Sequence, residues 1–192
     1  MDKVKNIKSI SIWIFIIPFF AVNACLFLST NLHSLIPDEL HQYRLPNTFP
    51  YFDGEVSISR TARYFPAYLI FKPAMIITSF LLIRYWLFNR EIIKSFDKNH
   101  KNLNKIVFFG ISSAVALTIH SIFLGISFDN DFYKLFRRVI MLVFIIFEVV
   151  AQAYLVSTLY SFKNKLDDFI NRKYLRIKLF LVSTLIVVAV IS

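Results

Sequence analysis

Apolar residues in this chain are gathered into five runs, separated by short stretches rich in lysine and arginine. A helix needs about 20 such residues to cross a hydrocarbon core about 30 Å thick. Runs at 9–29, 67–88, 106–128 and 139–160 meet that length. The last run is uninterrupted only after Lys178, and its fourteen residues to Ser192 rise only about 21 Å as a helix. Starting at Tyr174, with Arg176 and Lys178 snorkelling toward headgroups, adds about 7 Å. The expected architecture is all-α: a polytopic transmembrane helix bundle with five visible spans, the fifth at 174–192, in a single domain over residues 1–192. Because the last span is short, the natural protein is expected to continue and to add a sixth.

Composition agrees with that class. The chain is 57% hydrophobic and 18% charged, whereas soluble domains carry about 25% charged residues. Its net charge of +10 would suit nucleic acid only if the cations formed one face of a soluble fold. Here they flank apolar runs, where they set orientation and meet anionic headgroups. Nucleic acid is therefore not an expected partner. The N-terminal tail and the stretches at 89–105 and 161–178 hold three, five and six Lys or Arg. The intervening sides hold Arg44, Arg60 and Arg63 in a much longer loop, and Lys134, Arg137 and Arg138 near a turn. By the bias of basic residues toward the inner side, the N terminus is cytoplasmic and the loop at 30–65 lies outside. Tyr51, Tyr64, Tyr68 and Tyr133 then mark the outer headgroup zone, and Tyr85, Trp86, Tyr160 and Tyr174 the inner one. The lone Cys25 excludes an internal disulfide. With no small-residue cleavage site before a polar start, the first run reads as an uncleaved anchor. The chain is thus expected in a plasma or bacterial inner membrane, or in a eukaryotic endomembrane.

Ionisable and amide groups inside spans are the candidates for function, since hydrocarbon disfavours them. Glu148 lies about 16 Å into the fourth span, close to the midplane, with Gln152 one turn on along the same face. His120 lies in the outer half of the third span, and Ser113 is two turns before it. Lys72 sits beside Pro73, whose ring frees a backbone carbonyl. Asn23 follows Pro18 in the first span. These groups are expected either to bond across helices individually or to converge on an outward-opening polar pocket of Asn23, Lys72, His120, Glu148 and Gln152, with Lys72 paired to Glu148. Metal chemistry finds too few ligands there, because zinc needs three or four. His33, His41, Asp38 and Glu39 on the long loop are too loosely spaced. No phosphate-binding glycine loop or hydrolase motif is present, so no metal, cofactor or catalytic residue is assigned.

The densest polar stretch runs from Phe49 to Pro66. In it Ser57, Ser59, Thr61, Arg60 and Arg63 supply donors beside the outer headgroups, and arginine binds phosphate in bidentate fashion. The motif Val56-Ser57-Ile58-Ser59-Arg60-Thr61, followed by Arg63-Tyr64-Phe65-Pro66 just ahead of the second span, resembles that of the Frag1/DRAM/Sfk1 superfamily, which includes PGAP2-like and Cwh43 N-terminal-domain proteins. That family has a first span, an outward loop ending in such a motif, and five further spans. The resemblance implies a role in lipid handling or lipid-anchor remodelling, with Ser57, Ser59, Arg60 and Pro66 as the matching positions.

The leading functional expectation is a lipid-associated protein. Ser57, Ser59, Arg60 and Arg63 would engage a headgroup, and membrane lipids would be its partners. Two alternatives stand beside it: a proton-coupled small-solute carrier centred on Glu148, and a structural subunit that binds other membrane proteins.

Overall fold

A computed structural model describes residues 2–31, 61–126, 131–162 and 172–191. They form five helices: α1 (Asp2–Thr30), α2 (Ala67–Phe96), α3 (Leu103–Phe123), α4 (Asp131–Ser161) and α5 (Arg172–Ile191). The described residues contain no strand. Most of the helices outrun the apolar segments that announce them. α2 continues for two turns past Phe88 through Arg90 and Lys94, and α4 begins two turns before Val139. Lysine and arginine are good helix formers, and a helix that emerges from lipid keeps its backbone bonded until water can replace those bonds. Pro18 and Pro73 lie inside α1 and α2, which run on through them.

α3 stops earlier than its apolar run, at Phe123 and not at 128. Leu124 is extended, and Gly125 has φ +84°, a left-handed conformation that glycine adopts without steric cost. A Cβ at Gly125 would also lie 2.6 Å from the Arg63 carbonyl oxygen. The chain entering α2 and the chain leaving α3 therefore cross at this point.

Among the described residues four helices, α1 to α4, are long and apolar enough to cross a membrane. This corrects the expectation of five spans. α5 is a helix of 20 residues, but Arg172, Lys173, Arg176 and Lys178 occupy its first two turns and shorten the apolar part.

Each helix packs chiefly on its neighbours in sequence: α1 on α2, α2 on α3, α3 on α4, and α4 on α5. Two buried clusters show that the helices alternate in direction. One unites Tyr85, Trp86 and Ile93 of α2 with Leu103 and Ile106 of α3, Ala151, Leu155 and Leu159 of α4, and Leu175 of α5, and Ile7 and Ile10 of α1 pack on it. The other unites Cys25, Phe71, Met75, Leu117 and Leu124. Ile14 touches both. The N-terminal lysines, the 97–102 connection and the start of α5 thus share one end of the bundle, called the basic end below.

The exterior is apolar. Phe15, Phe80, Phe108 and Phe180 are 68%, 61%, 61% and 69% exposed, while Ser79, Ser113, Ser121 and Thr158 are buried. Large hydrophobics outside and small hydroxyl residues inside is the arrangement of helices packed in lipid. The apolar exterior is what sets it apart from a soluble bundle.

Trp86 corrects a sequence expectation. It is fully buried, not placed in a headgroup zone, because Gly110 of α3 opens a slot for its ring. A Cβ on Gly110 would lie 2.3 Å from Trp86 Cδ2 and 2.4 Å from Cγ. Gly110→Ala should therefore destabilise the bundle by about 1–3 kcal/mol, the usual cost of overpacking. Thermal unfolding in detergent would read this loss, and adding Trp86→Phe should recover part of it.

Candidate functional site

Two polar constellations occupy the bundle at different levels. The deeper one is built around Glu148 on α4. Its Oε2 accepts from Trp86 Nε1 of α2 at 3.3 Å and from Ser113 Oγ of α3 at 2.7 Å, and its Oε1 accepts from Gln152 Nε2 at 2.9 Å. One carboxyl group therefore joins three helices. Ser113 Oγ is also 2.8 Å from the Gly110 carbonyl, and its single hydroxyl hydrogen serves one acceptor at a time. One turn further along α3, Ser79 of α2 bonds Thr118 and donates to the Ala114 carbonyl at 2.9 Å. These bonds fasten α2 to α3 just beside the Glu148 junction.

The second constellation surrounds the C-terminal turns of α3, at the end opposite the basic one. Lys72 Nζ donates to the Ile122 carbonyl at 3.3 Å and lies 5.5 Å from the Tyr68 ring centroid. Tyr133 OH donates to the Phe123 carbonyl at 2.6 Å, and Arg137 stacks over the Tyr133 ring at 5.6 Å. His120 is an electrostatic neighbour of Arg137, and the Arg63 carbonyl faces Gly125. Cations gather well here, because the last carbonyls of a helix carry partial negative charge.

Three nitrogens in this collar, Arg63 Nε, His120 Nδ1 and Arg137 Nε, are buried without a hydrogen-bond partner. Among the described residues Gln152 Oε1 alone shares that condition. A buried donor left unmade costs about 1–3 kcal/mol, so the two arginine N–H groups around one helix end point to an acceptor that belongs there, and His120 Nδ1 joins them in the tautomer that protonates it.

The residues singled out from sequence thus divide between two places. Glu148 and Gln152 bond each other, whereas Lys72 and His120 belong to the collar. Lys72 does not pair with Glu148: fourteen residues, or about 21 Å of helix, separate it from Trp86 at the Glu148 level. Asn23 Nδ2 donates to the Phe19 carbonyl of its own helix at 2.7 Å. Arg63 stands beside the α3 terminus, and Ser57, Ser59 and Arg60 lie outside the described residues. His33, Asp38, Glu39 and His41 do as well. Trp86 and Arg137 were not singled out as site residues from sequence. The aromatic signal assigned Trp86 to an interface, and Arg137 read as one more loop cation.

Helices long and apolar enough to cross a membrane, with an apolar exterior and polar groups bonded to one another inside, define an integral membrane protein of the polytopic helical class. The chain belongs to the Frag1/DRAM/Sfk1/Cwh43P N-terminal domain family, whose model matches residues 6–192. No curated protein and no solved structure matches it significantly.

If the Glu148 carboxyl is the junction, removing it should cost more than removing one of its donors. Glu148→Leu leaves the Trp86 and Gln152 donors facing an apolar side chain, at about 1–3 kcal/mol for each donor left unpaired, while Ser113 keeps the Gly110 carbonyl. Ser113→Ala removes a single bond, worth about 0.6 kcal/mol on average between membrane helices. The two variants should separate clearly in thermal unfolding in detergent, with Glu148→Gln falling between them.

Proposed function

We propose that this protein engages the phosphate of an anionic lipid headgroup through the collar around the end of α3, as part of lipid handling or lipid-anchor remodelling. The observation that carries the reading is the set of three buried, unpartnered nitrogens on Arg63, His120 and Arg137. Arginine presents a planar fork of donors that matches phosphate oxygens. Lys72 adds a point charge at the same helix end. Arg60, Ser57 and Ser59 lie just ahead of Arg63 in sequence and would extend the same contact. Family membership supports the reading, because the Ser-Arg motif precedes α2 at the position expected from the resemblance. On this reading the basic end is cytoplasmic and the collar faces the opposite side, following the distribution of Lys and Arg.

A carrier centred on Glu148 draws less support. Both of its oxygens are occupied by donors from within the bundle, which suits a fastening better than a transport site. The headgroup reading is tested by measuring lipids retained on the purified protein by mass spectrometry. Arg63→Ala combined with Arg137→Ala should reduce retained anionic phospholipid by at least about tenfold, since even one charge-assisted bond is worth about 1.5–3 kcal/mol. Arg138→Ala, which changes the exposed neighbour of Arg137, should leave lipid content unchanged. Equal retention in all three proteins would refute the assignment.

A further inference from the structure

The basic end holds a second cationic feature. A cleft of about 390 Å³ is lined by Arg90 and Lys94 from the last turns of α2, by Lys98, Asn99, His100 and Lys101 from the connection, and by Leu103 and Asn104 from the start of α3. Its volume lies within the roughly 300–1,000 Å³ of small-ligand sites, but its walls are polar and carry four permanent positive charges. None of Arg90, Lys94, Lys98 and Lys101 forms an ion pair with a carboxylate among the described residues. Asp97, the acid within the connection, is occupied: its Oδ2 lies 3.4 Å from His100 Nδ1, and its Oδ1 accepts from the Asn99 N–H at 3.0 Å.

Other bonds from the connection reach α4. His100 Nε2 is 3.3 Å from Thr158 Oγ1 of α4, and Asn102 Nδ2 reaches that hydroxyl at 3.4 Å. The connection is thereby pinned to a neighbouring helix. α3 begins at this wall with no side-chain cap and no acidic residue in its first turn; the Leu103 N–H is taken by the His100 carbonyl, and the positive end of the helix dipole faces the cleft. Orientation in the membrane requires only that cations be numerous on one side. It does not require four of them around one concavity, where they repel each other.

We infer that this cleft binds a polyanion carrying at least two phosphate groups, presented either on a lipid headgroup or as a free solute. Four cations and a helix N-terminus would neutralise such a ligand. A single phosphate would leave charge unmatched.

The test uses the full chain in phosphatidylcholine nanodiscs. One arm dopes the discs with phosphatidylinositol bisphosphate, and the other adds inorganic pyrophosphate to undoped discs. The cleft variant is Lys94→Gln, Lys98→Gln and Lys101→Gln together. A control, Lys5→Gln, Lys8→Gln and Lys173→Gln, removes three charges from the same end outside the cleft. Native mass spectrometry should show bound polyanion on the wild-type protein and on the control, with at least a tenfold weaker affinity for the cleft variant. Matching unfolding temperatures establish that the cleft variant folds, and Lys94→Arg with Lys98→Arg and Lys101→Arg should restore binding. Binding in the doped discs alone assigns the ligand to lipid, and binding of pyrophosphate assigns it to a free solute. Equal loss in the cleft and control variants, no loss in either, or no binding by the wild-type protein overturns the inference.

Discussion

A single carboxyl group, that of Glu148, receives hydrogen bonds from α2, from α3 and from its own helix, and the rest of the bundle is arranged around that fact. Where the surroundings are as apolar as the interior, helices gain little from burying leucine against leucine. Specificity has to come from groups that lipid cannot satisfy. Glu148 supplies this at the level where the two apolar clusters meet. Gly110 is the condition for it, because only an absent Cβ lets the Trp86 ring come close enough for its N–H to reach the carboxylate. Ser79 and Thr118 repeat the device one turn away with uncharged groups.

The ends of the bundle use positive charge in different ways. At the collar, Lys72 satisfies a helix carbonyl and Arg137 lies on an aromatic ring, while three nitrogens remain buried and unmatched. At the basic end, the cations surround open space, and the carboxylate within their connection is already engaged. The first arrangement has the donors of a site but little room. The second has room and charge together, held by a connection pinned to α4. Both differ from the Glu148 junction, where each carboxylate oxygen already has a donor from within the bundle.

The sequence carried the fold class and the positions of four spans, because continuous apolar runs of the right length survive any error in detail. That the basic stretches gather together was also legible: 5–8, 89–105 and 172–178 share one end of the bundle. The inward faces were much harder to read. A helix in lipid is apolar all round, so the usual alternation of wet and dry faces is weak. The usable trace lay in small and hydroxyl residues at helical spacing, such as Gly110, Ser113, Leu117 and Ser121 on α3, which marks the buried stripe. Glu148 and Gln152 were found because each departs from an apolar background. Trp86 was misplaced because tryptophan favours interfaces in general, and only the slot at Gly110 explains its position here. Lys72 was paired with the wrong partner because depth in a span says nothing about which neighbour is within reach.

The stacking of each helix on its predecessor bears on biogenesis. Contacts between consecutive segments are local in sequence, and local contacts form early and quickly. Every helix after α1 finds a docking partner already in place as it leaves the ribosome. The bundle can therefore grow from one side as the chain is made, with no segment waiting unprotected for a distant mate.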